Sequence, residues 1–235
     1  MGAWVFQNER LVQVPLGEGK ALTVEQSLDA PIPREADGTN LRVWPTACVF
    51  ANYIAAHPEL VAGKRIVELG SGSGTVGLVC AALGARKVVI TDQPEALTLI
   101  RDNVKRNAEQ LRGSDVAVLP CTWGDQTHIA ALLEATGGEF DVVVACEVVY
   151  KQSEAVLHAL ADTQQQLMVQ TSGVSLLAYE YRGELFDDLA YFDAANERFE
   201  VEPRSLRDFE GELLDDEYGD EDGRWVYTHT HKPAA

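Results

Sequence analysis

The sequence predicts an α/β domain in which a mostly parallel sheet of seven strands carries helices on both faces. Its main evidence is an alternation that begins at Lys64, where short apolar segments rich in valine alternate with longer segments of helical periodicity. Such alternation favours parallel strands, because each helix returns the chain across the sheet. A glycine-rich turn after the first of these strands indicates the same architecture, in which ligands bind beyond the carboxyl ends of the strands.

Seven short segments have the β-branched and apolar composition of strands. They comprise residues 65–69, 87–91, 115–119, 140–145, 175–179, 199–201 and 225–228. Apolar residues at helical spacing predict helices between them. These helices cover residues 43–57, 75–84, 94–110, 153–170 and 185–196. Pro94 occupies a permitted first-turn position, and Pro58 ends the first helix.

Residues 1–40 are predicted to form an N-terminal hairpin and loop extension, and residues 41–235 the main domain. β-Rich segments at 4–6, 11–14 and 21–24 surround a turn that contains Gly17 and Gly19. A polar stretch with two prolines then leads into the first predicted helix. The extension is therefore expected to add a β-hairpin to the seven-stranded domain.

Net charge narrows the classes of partner. The chain of 235 residues has a formal net charge of −18. Such a field repels phosphate, so DNA and RNA are not expected as substrates, whereas a basic segment of another protein would be attracted. Solubility alone explains the acidity equally well. The acidic run 210–222 is either a solvated loop or a surface that grips a basic partner.

Cysteine usage favours a reducing compartment, and the length of the apolar runs disfavours a membrane span. None of the four cysteines forms a CxxC pair, and three lie in apolar runs, which is typical of buried free thiols. The apolar runs stop short of the roughly 18 residues that a membrane span needs. We expect a cytoplasmic location, with the nucleus also open, and a monomer without membrane contact. His229 and His231 lack a third ligand, so no metal site is expected.

The glycine-rich run from Glu68 to Gly77, ELGSGSGTVG, lies between a predicted strand and a predicted helix. Its glycines permit a tight turn and close approach of a ligand to the backbone. Read from Gly72, the spacing GxGxxG also fits a dinucleotide, whose pyrophosphate would lie at the helix N-terminus. The carboxylate of Glu68 would oppose that anion but suits a cation. The pattern ExGxGxG, with Gly70, Gly72 and Gly74, therefore favours S-adenosylmethionine, which carries a sulfonium and an ammonium.

Two more side chains are expected beside this loop. Asp92 follows the second strand, roughly 20 residues after the glycines, as a ribose-binding acid does. One carboxylate can accept from both ribose hydroxyls, although Asp92 could also cap the next helix. Trp123 follows the third strand, where its ring could pack on adenine or belong to the core.

Together these motifs resemble the seven-β-strand protein-lysine methyltransferases, often called methyltransferase family 16. The resemblance extends over residues 26–202 and depends on four stretches. They are the tryptophan-bearing segment 43–54, the donor loop 64–74 with 83–85 after it, the acid and its helix at 91–107, and residues 119–124 together with the acid-x-x-tyrosine motif Cys146-Glu147-Val148-Val149-Tyr150.

The resemblance implies a Rossmann-like fold, S-adenosylmethionine as methyl donor and a protein lysine as acceptor. It implies donor contacts at Trp44, Gly70, Ser71, Gly72, Asp92, Trp123 and Cys146. It implies a substrate-side role for Glu147 and Tyr150. Glu147 departs from the aspartate common in the family and keeps the carboxylate on a longer stem. Because the N-terminal hairpin varies in the family, the resemblance does not identify the substrate.

For the acceptor, Glu147 is expected to receive the lysine ammonium at the end of the fourth strand, with Tyr150 orienting it. Lysine has a pKa of about 10.4 and must lose its proton before it attacks the methyl group. Tyr179 and Tyr181, at the end of the fifth strand, are expected to form an aromatic wall, unless they pack at the sheet edge. Glu147 could instead cap the following segment.

Other functions remain open at this point. The acceptor could be a small amine, an N-terminus or a histidine. An NAD-dependent oxidoreductase is disfavoured by Glu68 and by the lack of an evident Tyr-x-x-x-Lys motif. A donor-binding protein without catalysis is disfavoured by the retained Glu147 and Tyr150.

Overall fold

The computed structural model describes residues 9–17, 19–28, 41–149, 151–181, 185–210 and 223–233. The strand predicted at 4–6 and the acidic stretch 211–222 lie outside the described residues. In the part of the chain that is described, no helix is long and apolar enough to cross a membrane.

A seven-stranded sheet forms the centre of the fold. Its strands are β3 (Arg65–Leu69), β4 (Lys87–Asp92), β5 (Asp115–Pro120), β6 (Val142–Cys146), β7 (Val174–Glu180), β8 (Phe199–Ser205) and β9 (Arg224–His231). They lie in the order β5-β4-β3-β6-β7-β9-β8, with β9 antiparallel to both of its neighbours and the others parallel. This arrangement confirms the predicted fold class. The strand order reverses between β3 and β6, where such sheets bind their ligands.

Helices cover both faces of the sheet. They are α1 (Pro45–Ala56), α2 (Thr75–Ala82), α3 (Leu97–Arg106), α4 (Gln126–Thr136), α5 (Glu154–Leu167) and α6 (Leu185–Arg198). α1, α2 and α3 pack into one hydrophobic cluster, and α4, α5 and α6 pack into another. Ile66 and Val67 on β3 are both fully buried, one in each cluster. Because both faces of β3 are covered, the strand is apolar without alternation.

The predicted N-terminal hairpin is also present. β1 (Leu11–Gly17) pairs antiparallel with β2 (Lys20–Glu25) in a separate two-stranded sheet. Its inward side chains are fully buried in the cluster that contains α1, α2 and α3. They are Val12, Val14, Leu22 and Val24. The hairpin therefore shares a core with the main domain, and the division into 1–40 and 41–235 stays a prediction.

The helix α4 was not predicted from the sequence. Its local signals are present, because Asp125 Oδ1 accepts from the N–H groups of Thr127 and His128 at 2.8 and 3.2 Å. Gly137, with φ 71°, follows its last residue. However, only Ile129 and Leu132 of this helix are fully buried, so its apolar periodicity is weak.

The helix α3 is shorter than predicted at both ends. Residues 94–96 form a turn, in which the Ala96 N–H donates to the Gln93 carbonyl at 3.1 Å. The C-terminal end is replaced by turns after Asn107, whose carbonyl accepts from the Gln110 N–H at 3.0 Å. The apolar pattern continued through these turns because Leu111 is also buried.

The buried imidazole of His229 on β9 is expected to make stability depend on pH. Its ring packs against Phe199 and Tyr191, and burial lowers the pKa of His229 to about 4. Folding then excludes a proton that the unfolded chain binds below pH 6.5. This contribution to stability is fully present above pH 6.5 and decreases as the pH falls towards 4. At pH 5 it amounts to a loss of about 2 kcal/mol.

Urea unfolding at pH 7.5 and pH 5.0 would measure this effect in the wild type and in His229→Gln. We expect the variant to lose less stability than the wild type between the two pH values. Carboxyl groups that titrate in the same range are common to both proteins and cancel in the difference. Equal losses would show that His229 does not titrate as inferred.

Candidate active site

A cavity of about 610 Å³ opens at the carboxyl ends of β3, β4 and β6, where the strand order reverses. All the predicted donor-binding residues except Gly74 line it. They are Trp44, Glu68, Gly70, Ser71, Gly72, Asp92, Trp123 and Cys146. Glu147 lines the same cavity, whereas Tyr150 lies outside the described residues. The fold thus brings together side chains that are more than 100 positions apart in the sequence.

The glycine loop is held in a conformation that side chains would oppose. Gly70, Gly72 and Gly74 have φ values of 64°, 56° and 81°. A Cβ on Gly70 would lie 2.8 Å from Val148 Cγ1 and 3.1 Å from the Trp123 ring. Gly74 lies behind the cavity, against α3.

Glu68 caps the helix that follows the loop. Its side chain is buried, and its Oε2 accepts from the Gly77 N–H in the first turn of α2 at 2.8 Å. Burial raises the pKa of Glu68 to about 8. The negative charge that the sequence analysis assigned to Glu68 is therefore reduced at neutral pH. Glu68 disfavours an anionic ligand mainly because it occupies the Gly77 N–H, an amide that would otherwise bind a phosphate.

Asp92 holds the loop at the end of β4. Its Oδ2 accepts from the Gly72 N–H and its Oδ1 from the Gln93 N–H, both at 2.6 Å. Burial raises the pKa of Asp92 above its ordinary value. The carboxylate does not cap α3, which begins at Leu97 after Ala96 without a side-chain cap. Each oxygen has a second lone pair, so hydrogen bonds to ribose hydroxyls are compatible with these contacts.

The two tryptophans reach the cavity from opposite faces of the sheet. Trp44 immediately precedes α1, whose first residue is Pro45. Trp123 follows β5, and the next N–H, of Gly124, donates to Thr163 Oγ1 on α5 at 2.8 Å. Trp123 also packs against the cluster around α4, α5 and α6. The Trp123 ring can therefore pack in the core and also contact a ligand in the cavity.

Glu147 adopts an unusual backbone conformation at the end of β6. Its φ is 58°, in the left-handed region that non-glycine residues seldom occupy. The Glu147 N–H donates to the Ala178 carbonyl at 3.0 Å, and its Oε1 accepts from the Glu180 N–H at 2.8 Å. Strained residues of this kind cluster at functional sites. Both contacts attach Glu147 to β7 and fix its carboxylate at the cavity wall.

A buried ionic network supports the strand that holds Glu147. Arg224 donates to Glu180 Oε1 at 3.1 Å and forms an ion pair with Glu210 at 3.3 Å. The Thr46 hydroxyl donates to Glu180 Oε2 at 3.4 Å. The network joins β7, β9 and α1, and no sequence motif indicated it.

The structure corrects the expectation that Tyr179 walls the acceptor site. Tyr179 is 2 % exposed, its hydroxyl donates to Asp188, and its ring packs against Phe192 on α6. Strand side chains alternate between faces, so Tyr179 lies on the face opposite to Glu180 and α1. Tyr181 packs against the hydrophobic cluster that contains α4, α5 and α6. The described lining of the cavity includes neither tyrosine ring.

Two cationic residues of the cavity, Arg42 and Lys151, were not predicted from the sequence. Arg42 lies two positions before Trp44, and Lys151 directly follows the acid-x-x-tyrosine motif. Lys151 has a φ of 53° and thus shares the left-handed conformation of Glu147. Their closeness to motif residues was the available signal. Together they provide positive charge for a carboxylate.

Alanine at Gly70 is expected to weaken donor binding, because its methyl group would displace Val148 or the Trp123 ring at the cavity wall. Calorimetric titration with S-adenosylhomocysteine should show at least a tenfold rise in Kd. Gly63→Ala is a matched control, since Gly63 has φ 72° but open space around an added Cβ. It should cost about 1 kcal/mol of stability from backbone strain alone, with unchanged affinity. Equal affinities in the two variants would contradict this account.

Comparison with known proteins identifies the family. The family model described as lysine methyltransferase matches residues 25–198. A "Protein N-terminal and lysine N-methyltransferase EFM7" from Yarrowia lipolytica is 32% identical over 70% of this chain and 66% of its own length. The "Protein N-lysine methyltransferase METTL21A" from Danio rerio is 33% identical over 68% of each chain. The chain thus spans about two thirds of the length of these relatives.

Solved structures of low sequence identity share the fold. A ribosomal protein L11 methylase from Lactobacillus delbrueckii subsp. bulgaricus has a TM-score of 0.55 at 17% identity, and the match covers 96% of this chain and 100% of that one. A magnesium protoporphyrin IX methyltransferase from Synechocystis PCC 6803, described with bound SAM, has a TM-score of 0.54 at 13% identity, covering 79% and 78%. Because the family model covers most of the sequence, the chain belongs to the lysine methyltransferase family.

Proposed function

We propose that this protein transfers a methyl group from S-adenosylmethionine to the ε-amine of a lysine on another protein. The observation that carries the proposal is that one cavity is lined by the glycine loop, by Asp92 and by Glu147. The first two suit a nucleoside with a cationic tail, and the third suits an amine. Membership of the lysine methyltransferase family supports the same reaction.

The residues of the cavity fit the donor. S-Adenosylmethionine, the methyl donor of this fold and family, supplies an electrophilic methyl group on a sulfonium. Asp92 would accept from the ribose hydroxyls, and Trp123 would pack on the adenine. Arg42 and Lys151 would pair with the carboxylate of the methionine end. Ser71 Oγ is buried at the cavity without a hydrogen-bond partner among the described residues, so a polar group of the donor would satisfy it.

The same loop is poorly suited to a dinucleotide. Pyrophosphate binding uses the free N–H groups in the first turn of the helix after the glycines. Here the Gly77 N–H already donates to Glu68 and is not free to bind a phosphate. We therefore set aside the NAD-dependent oxidoreductase.

On the acceptor side, Glu147 would bind the lysine ammonium and orient the nitrogen before the proton is lost. The carboxylate suits this role because the Glu180 N–H and the left-handed backbone hold it at the cavity wall. Positioning of this kind provides much of the rate enhancement when the leaving group needs no acid catalysis. Tyr150 stays a predicted partner of Glu147 in this step.

A second candidate acceptor is an N-terminal α-amine. The printed name of the relative from Yarrowia lipolytica includes both N-terminal and lysine methylation. An α-amine has a pKa of about 8, so more of it is neutral near pH 7 than of a lysine. No specific observation favours a small amine or histidine.

The acceptor is proposed to lie in a basic segment of a cytoplasmic protein. The net charge of −18 would attract such a segment. Glu210 pairs with Arg224, and the Gly223 carbonyl accepts from the Tyr181 N–H at 3.2 Å. Glu210 and Gly223, the described residues on either side of the acidic stretch 211–222, therefore lie beside the strand that holds Glu147. The four described cysteines are free, as a reducing compartment would allow, and the monomeric state stays a prediction.

Glu147→Gln is expected to lower kcat by on the order of 100-fold, because the neutral amide binds the ammonium poorly while the donor contacts remain. The Kd for S-adenosylhomocysteine should stay within about threefold of the wild-type value, because the donor contacts do not include Glu147. Glu147→Asp restores the charge and should retain more turnover than the amide. Glu200→Gln, on an exposed position of β8, controls for the loss of one charge. Unchanged kcat in Glu147→Gln would remove Glu147 from the mechanism.

Peptide methylation with labelled donor would separate the acceptors. The reference peptide has an acetylated N-terminus and one lysine flanked by arginines. A second peptide has a free N-terminus with the lysine replaced by arginine, and a third has glutamates in place of the flanking arginines. We expect methylation of the first peptide and little of the third. Exclusive methylation of the second would establish the N-terminal activity instead.

A further inference from the structure

Two buried asparagines, Asn103 in the last turn of α3 and Asn107 directly after its last residue, face the outer edge of β2. Asn103 and Asn107 are 0% and 1% exposed. The inner edge of β2 pairs with β1, so its outer N–H and C=O groups need other partners. The asparagine amides provide them.

Each amide binds β2 in the same way. Asn103 Oδ1 accepts from the Glu25 N–H at 2.7 Å, and its Nδ2 donates to the Glu25 carbonyl at 2.9 Å. Asn107 makes the same pair of bonds with Thr23, both at 2.9 Å. The two side-chain amides therefore make the hydrogen bonds that a neighbouring strand would make with β2, and they attach the hairpin to α3.

The third bond of each amide differs. Asn107 Nδ2 donates to the Asn103 carbonyl in the last turn of α3 at 2.8 Å. Asn103 Nδ2 donates to the Ser73 carbonyl at 2.9 Å. Ser73 lies in the glycine loop and lines the cavity. Of these two amides, only that of Asn103 therefore joins the hairpin to the loop.

This bond completes the fixation of the loop backbone. The Ser71 N–H donates to the Thr91 carbonyl at 2.9 Å, and the Gly72 N–H donates to Asp92. Ser73 lies between two glycines in the left-handed region, where the backbone has the greatest freedom to move. Without Asn103, its carbonyl would lose this partner. Ile100 on the same helix packs behind Gly74, so α3 supports this part of the loop twice.

We propose that Asn103 is a positioning residue that couples the N-terminal hairpin to the donor loop: β2 holds its amide, the amide holds the Ser73 carbonyl, and donor affinity depends on this side chain. This inference depends on the proposed function for the identity of the donor. It assigns the hairpin a part in forming the donor site, through a side chain that does not line the cavity.

The pair Asn103→Ala and Asn107→Ala tests the coupling, because each variant loses three hydrogen bonds and two of them are equivalent. The midpoint of urea unfolding should fall by a similar amount in both. The Kd for S-adenosylhomocysteine, measured by calorimetry on the full chain, should rise about tenfold in Asn103→Ala and less than twofold in Asn107→Ala. Donor KM should follow Kd, with kcat at saturating donor retained.

Equal Kd values in the two folded variants would overturn the proposal. If Asn103→Ala does not fold, Asn103→Ser and Asn107→Ser are compared at 10 °C, since each hydroxyl can keep one bond, and the same difference in Kd is required. Failure of the wild type to bind S-adenosylhomocysteine would refute the proposed function itself. Binding by the wild type with no loss in the Asn103 variant would refute only the coupling.

Discussion

The fixation of the glycine loop backbone is the constraint on which the rest of the site depends. Three glycines in the left-handed region allow close approach of a ligand, but they also give the loop a large conformational entropy to lose. Asp92 on β4 and Asn103 on α3 hold adjacent residues of this loop, Gly72 and Ser73, from outside it. The loop can therefore present backbone to a ligand without being ordered by the ligand first.

The two halves of the cavity are built by different physical means. On the donor side, buried hydrogen bonds shape the loop, and burial raises the pKa of the Glu68 carboxyl. On the acceptor side, charge dominates, because Glu147 is attached to a strand that the buried Glu180–Arg224 ion pair supports. Breaking one partner of such a pair leaves an uncompensated buried charge. The acceptor half should thus be the more sensitive to charge-changing substitutions away from the cavity.

The strands and most helices were predictable because their apolar periodicity is local. The cavity motifs were predictable because the carboxyl ends of parallel strands share one edge. α4 was missed since its two fully buried residues, Ile129 and Leu132, give a weak pattern. Tyr179 was expected to form a wall of the acceptor site because it lies near the end of its strand. This was wrong, since the face of the sheet on which a side chain lies is decided by packing against α1 and α6. The contacts of Asn103 were not predictable, since Glu25 is 78 positions away.

The reversal of strand order between β3 and β6 explains why these two halves can be separated. The proposed donor contacts come mainly from β3, β4 and their loops, whereas Glu147 is held by β6 and β7. The hairpin packs with α3 on the donor half, whereas Glu210 and Gly223 contact Arg224 and Tyr181 on the acceptor half. Under the proposed function, substitutions in the acidic stretch 211–222 should alter the choice of protein partner and leave the hydrogen bonds of the glycine loop intact. The proposed donor binding and the proposed partner selection thus depend on different segments of the chain.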